Sequence, residues 1–180
     1  TNLERIKWTT SPDIQDVFEE FVRDGWAAIN PRPTRLGPLG SVGFVQDLDS
    51  FTYEEMDNDP VYRDFLRKRG LGWATGTVLN PPSGESLIFS FERAYDKGPV
   101  PIEIVQQFDQ LRPHLARSAL LSSRLGLERA RAMADALQSL GLPGAVLRGG
   151  GRILAVNEGL ERLMPSLLQD RRERLHLADA

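Results

Sequence analysis

An α+β fold is predicted by three features of this 180-residue sequence. Residues 71 to 80 and 85 to 94 alternate apolar and polar side chains around Pro81-Pro82-Ser83-Gly84, the pattern of an antiparallel hairpin. Ahead of it, apolar residues recur every three or four positions between 14 and 29 and between 61 and 66, as helices burying one face require. Behind it, forty residues from 101 to 140 keep helical spacing with one internal proline and no glycine pair.

Composition narrows the class. With 41% hydrophobic and 26% charged residues the chain can bury a core, which excludes disordered and fibrous classes. No apolar run is long enough to span a bilayer, so no membrane partner is expected. There is no cysteine, which excludes disulfides, thiolate nucleophiles and cysteine-bound metal and fits a reducing cytoplasm. No secretory signal is visible, and the start at Thr1 makes the chain read as a fragment. The net charge of −3 divides into −5 over residues 1–100 and +2 over 101–180. The one basic run, Arg171, Arg172 and Arg174, reads as a solvated helix end or linker.

Taken in order, Leu3, Ile6 and Trp8 suggest a short strand. Ser11 offers an N-cap oxygen, Pro12 suits a first turn and Asp13 favours the positive helix end. Ile14, Val17, Phe18, Phe21, Val22 and Ile29 then form the stripe of one helix, ended by Asn30-Pro31. Residues 31 to 40 are dense in proline and glycine and read as a loop. Residues 41 to 46 suggest a strand. The acids Asp47, Asp49, Glu54, Glu55, Asp57 and Asp59 are interleaved with Phe51, Tyr53 and Met56 and lack the central glycine of a calcium loop, so no metal site is expected. Asp59-Pro60 opens a helix through Val61, Tyr62, Phe65, Leu66 and Arg69 that stops at Gly70. In the hairpin, Leu87, Phe89 and Phe91 share the face assigned to the core, and Gly76 marks a bulge or a close approach.

The long helix places Ile102, Val105, Phe108, Leu111 and Leu115 toward the sheet. Pro113 removes a backbone hydrogen bond at roughly 3 kcal/mol, which predicts a kink or restart near Leu111. Beyond it, Ala119, Ser123, Gly126, Ala130, Met133 and Leu137 form a heptad seam compatible with a parallel dimer, so a homodimer is expected with those residues at its interface. Gly149-Gly150-Gly151 lacks the Lys-Ser/Thr sequel of a phosphate loop and fits a hairpin turn. His114 and His176 have no partner residues at metal-ligand spacing, and no catalytic constellation is visible.

GAVLRGGGRILAVNEGLERLM, with a strand, a glycine turn at Arg152, a second strand and Asn157 opening a helix through Leu160 and Leu163, resembles the start of a PAS domain. Together with NDPVYRDFLRKRGL, the hairpin and FDQLRPHLARSALL, it resembles the sensor half of bacterial LuxR-type helix-turn-helix regulators over roughly residues 3 to 177. The resemblance implies a GAF-like antiparallel sheet flanked by helices at 1–112, a connecting and dimerisation helix at 113–141, and a partial PAS-like hairpin and helix at 142–180. It also implies transcription regulation in the cytoplasm, with DNA reached only through a C-terminal module outside these residues. A small-molecule effector, if bound, would sit between the sheet and residues 26 to 44, lined by Trp26, Phe44, Trp73, Phe89 and Phe91. No cofactor is expected. A ligand-free scaffold that dimerises through the long helix is the alternative, and an enzyme is not expected.

Overall fold

A computed structural model describes residues 8–40, 42–81, 86–148 and 151–164, and the backbone alone of 168–170 and 175–177. The sequence-predicted strand over 3–8, most of the glycine turn at 149–151 and the basic run at 171–174 lie outside the described residues, apart from Trp8 and Gly151. Helices and small antiparallel sheets make up the chain, so the α+β class holds. It forms two compact units, Thr1–Ala119 and Leu120–Ala180, and helix α6 (Ile102–Ser139) contributes to both.

The first unit is built on a three-stranded sheet of β1 (Val45–Gln46), β2 (Leu71–Leu79) and β3 (Leu87–Ala94) in that spatial order. Both pairings are antiparallel, so the predicted pairing of β2 with β3 is present, the turn expected at Pro81-Pro82-Ser83-Gly84 lying outside the described residues apart from Pro81, whereas the strand expected over 41 to 46 is reduced to two paired residues. The register shifts at Gly72, where a Cβ would collide with the Tyr95 ring. At Gly76 the ladder runs through unbroken, opposite Ser90, and a Cβ would lie 2.6 Å from the Phe89 carbonyl oxygen. Gly76 therefore serves a close approach, and the bulge is four residues earlier.

The first helix is shorter than its apolar stripe. A 3-10 turn at Pro12–Ile14 leads into α1 (Gln15–Arg23), and the Ser11 side chain makes no capping bond. Gly25 then takes a φ of +83°, which ends α1 and lets α2 (Trp26–Ile29) restart in a new direction. Residues expected to be loop form two single helical turns instead, α3 (Arg32–Arg35) and α4 (Gly37–Gly40), because proline fits a first helical turn as readily as a loop. Helix α5 (Tyr53–Asn58) is closed by a capping box in which Thr52 Oγ1 accepts from the Glu55 amide and Glu55 accepts from the Thr52 amide. Asp59 caps the wide turn Val61–Leu66 by accepting from the Val61 amide at 2.8 Å, and Gly70 at φ +72° stops the following 3-10 turn.

Two apolar clusters hold this unit. Phe51, Met56, Val61, Tyr62, Phe65, Leu66 and Trp73 form the larger, with Val17, Phe21, Trp26 and Leu36 against it. Phe44, Val100 and Val105 form the smaller, joined by Phe108 and Leu115 of α6. Of the residues expected to bring α6 onto the sheet, Ile102 and Leu111 are exposed, since only positions 105, 108 and 115 share the buried side. The Leu87-Phe89-Phe91 face is likewise not a closed core. Strand β3 is an edge, Leu87 and Phe91 are exposed, and Phe91 is partly covered by stacking on Phe108 at 4.6 Å.

Pro113 does not break α6, which is helical on both sides of it. A proline leaves one carbonyl without its partner but keeps helical φ, so a long helix carries it at a local cost. In the second unit β4 (Ala145–Arg148) pairs antiparallel with β5 (Arg152–Val156), as the glycine-centred pattern predicts. Asn157 is buried and does three jobs: its Oδ1 accepts from Leu160 N at 3.0 Å and Gly144 N at 2.9 Å, and its Nδ2 donates to Leu142 O at 2.8 Å. That side chain caps α7 (Glu158–Glu161) and closes the turn that follows α6. A further pair, β6 (Leu168–Asp170) with β7 (Leu175–Leu177), has no counterpart in the sequence reading.

Replacing Asn157 with Ala strands several buried backbone groups together with the cap and should destabilise the protein by about 2–3 kcal/mol. Urea denaturation followed by far-UV circular dichroism checks this, and an unchanged midpoint would show that water replaces the side chain.

Candidate functional site

The most concentrated chemistry in the first unit surrounds Arg32, at the start of α3. Its Nε and Nη2 donate to the two oxygens of Asp47, each at 2.9 Å, and its Nη1 donates to both oxygens of Glu92 at 3.0 and 3.1 Å. Tyr62 donates its hydroxyl to Asp47 Oδ1 at 2.7 Å, accepts from Arg32 Nε at 3.1 Å, and presents its ring 4.8 Å from the guanidinium carbon. Asp47, at 1% exposure, also accepts from the Ala74 amide at 2.7 Å. A single guanidinium thus ties α3, the turn after β1, the wide turn before β2, and strands β2 and β3.

Electrostatics follow from the count of charges. Burial works against the Arg32 cation, but Glu92 and Asp47 outweigh it and hold the group above its ordinary value. Burial pushes the Tyr62 hydroxyl up, so it remains a neutral donor. Two carboxylates share one cation, and for Glu92 burial and the neighbouring Asp47 charge outweigh the attraction of Arg32, which raises its pKa. Glu92 therefore takes up a proton more readily than an ordinary glutamate on acidification.

Three more arginines repeat the arrangement. Arg35 bonds Glu55 at 3.0 and 3.2 Å and lies 4.0 Å from the Phe51 ring centre, Arg69 bonds Glu20 at 2.9 Å and lies 3.8 Å from Phe65, and Arg67 bonds Asp57 and lies 4.8 Å from Tyr95. A planar guanidinium can do both at once, hydrogen-bonding in its plane and stacking on its face. Asp47, Asp49, Glu55, Asp57 and Asp59 of the acidic stretch are engaged in this way or in backbone caps, with Asp49 accepting from Gln46 N at 2.8 Å. Between these elements lies an open groove of about 490 Å³ lined by Pro31, Arg35, Phe51, Glu54, Glu55, Asn58, Asp59 and Pro60.

The residues expected to line an effector pocket are not gathered in one cleft. Trp26 packs on Phe65 at 5.5 Å, and Trp73 stacks on Tyr95 at 6.0 Å while its indole donates to the Tyr95 carbonyl at 3.0 Å. Phe44 belongs to the other cluster, the exposed Phe91 lies 6.1 Å from it, and Phe89 is half-buried on β3. Beside them Arg112 of α6 donates to Thr77 Oγ1 at 2.9 Å, and Asp109 accepts from the Phe44 amide at 2.7 Å. Of the seam residues, Ala119 and Ala130 are buried, Ser123 and Leu137 are half-buried, and Gly126 and Met133 are exposed, so the six do not form one exposed line. Sequence reading passed over Arg32 altogether. The available signals were an arginine inside a proline-rich segment and a glutamate on a strand otherwise rich in large apolar residues.

Asp47→Asn leaves Glu92 as the counter-charge but weakens the charge-assisted hydrogen bonds from Arg32 and sets an amide donor against a guanidinium donor, and should cost about 2–3 kcal/mol in urea unfolding. The pH dependence of Glu92 has a definite sign. Because its folded pKa is raised, the stability linked to its proton is complete below the ordinary glutamate range and is lost as pH rises through the folded value. Glu92→Gln, which carries no titrating proton, should remove that slope from unfolding midpoints measured between about pH 4 and pH 8.

Comparison with protein-family models, with curated proteins and with solved structures gives no match.

Proposed function

We propose that this chain is the sensory and dimerisation region of a cytoplasmic transcriptional regulator of the LuxR type, with the DNA-binding module outside these residues. The observation that supports this reading is helix α6. Its early turns pack Val105, Phe108 and Leu115 beside Phe44 of the first unit, and without interruption it continues into the second unit, where Asn157 fastens the following turn. A helix that belongs to the cores of two units can pass a change in one of them along its backbone, as regulators require. No helix among the described residues is long and apolar enough to cross a membrane, which accords with a regulator working away from the bilayer.

A second reading, a ligand-free interaction module, is favoured by the packing of Trp26 and Trp73 into one cluster and of Phe44 into the other, both filled by the protein's own side chains. Fusion to a helix-turn-helix DNA-binding domain stripped of its own dimerisation segment tests the regulatory reading. Repression of a reporter with paired half-sites should exceed that of the isolated domain by about a hundredfold through avidity, and equal repression would overturn the proposal. Native mass spectrometry separates the two readings: a retained small-molecule mass marks a sensor, and its consistent absence marks a scaffold.

A further inference from the structure

We infer that two copies of this chain pair through an exposed face of α6 with their helices running in opposite directions, crossing near Gly126. The inference rests on the dimerising region proposed above and names the face, the partner and the direction.

Two faces of the same helix differ in their covering. Ala119, Ala130 and Ala134 are buried within the chain, whereas Leu121, Leu125 and Met133 are 59%, 46% and 59% exposed. At about 100° per residue, Ser118, Leu121, Leu125, Ala132, Met133 and Ala136 fall within an arc of about 120° turned away from those alanines. All six are exposed, and Arg129 in their midst can lay its aliphatic stem along the stripe. This face shares Met133 with the heptad seam but turns away from the seam's Ala119 and Ala130, which are already buried.

Charge selects the occupant and its direction. The exposed residues Arg117, Arg124, Glu128 and Asp135 lie within about 40° of one another on one flank of the stripe, the two cations toward the N-terminus and the two acids toward the C-terminus. In an antiparallel pair related by a two-fold axis, like flanks meet. Arg117 then faces Asp135 and Arg124 faces Glu128, and both pairs share Gly126 as their midpoint, so one register satisfies both. A parallel pair would instead turn this flank toward the opposite one, where Ala119 and Ala130 are buried. The antiparallel arrangement separates the two Ser139 helix ends by about 39 Å along the helix axis at 1.5 Å per residue.

The absence of cysteine makes the test direct. Ser118→Cys and Ala136→Cys are purified separately and mixed in equal amounts before oxidation. Only the mixture should give a cross-linked dimer, because residues 118 of the two copies lie more than about 20 Å apart in this register, far beyond disulfide reach. Sedimentation should also show that Arg124→Glu weakens the dimer about tenfold and that Arg124→Glu with Glu128→Arg restores it, with circular dichroism confirming that each variant folds. Cross-linking of either single variant with itself would overturn the antiparallel direction while leaving a dimerising region in place. A monomer at every concentration would overturn the pairing altogether, leaving the retained-ligand and reporter results to judge the regulatory reading.

Discussion

The first unit depends on one guanidinium. Arg32 holds two carboxylates and a phenol, and its partners come from residues 15, 30 and 60 positions away in sequence. A buried ion pair adds little net stability over well-packed apolar groups, because desolvation offsets attraction. What such a pair adds is selectivity. An apolar cluster such as Phe51, Tyr62, Phe65 and Trp73 can pack in several ways, whereas a fork that must meet Asp47 on one side and Glu92 on the other tolerates one placement of α3 against β3.

The same economy explains why the acidic half of the chain is also rich in arginine. Arg32, Arg35, Arg67 and Arg69 each sit between a carboxylate and an aromatic ring, so the short helices around the sheet are fastened at their rims by charge and stacking together. Helical turns of four residues have almost no stability alone. They persist here because side chains reach out from them to anchors elsewhere: Arg32 to β3, Arg35 to α5, and Trp26 to Phe65.

What was legible in the sequence shares a physical origin. The β2–β3 hairpin, the stop at Gly70 and the length of α6 are written in local signals, namely alternation, a left-handed glycine and unbroken periodicity. The Arg32 assembly was not legible, since a contact across 60 residues leaves no periodic trace and a single arginine among prolines looks like loop. The faces of α6 were half legible. Periodicity shows that Ile102, Val105, Leu111 and Leu115 are apolar, but which of them meets the sheet depends on rotation about the helix axis. Packing of Phe108 on Phe91 and the reach of Arg112 to Thr77 settle that rotation.

That rotation also decides what α6 offers outward. With positions 105, 108, 112 and 115 turned inward, the leucine and methionine side chains at 121, 125 and 133 are left on the outside, while the alanines at 119, 130 and 134 take the covered side. Leu120, Leu127 and Leu137 are half-buried, yet Leu121, Leu125 and Met133 stay outside while alanines take the most covered positions, although the larger apolar groups gain most from burial. A helix evolved only to pack within its own chain has no reason to keep that order. Covering the outer stripe with a second copy removes the inconsistency, and the segregation of Arg117 and Arg124 from Glu128 and Asp135 makes the covering directional.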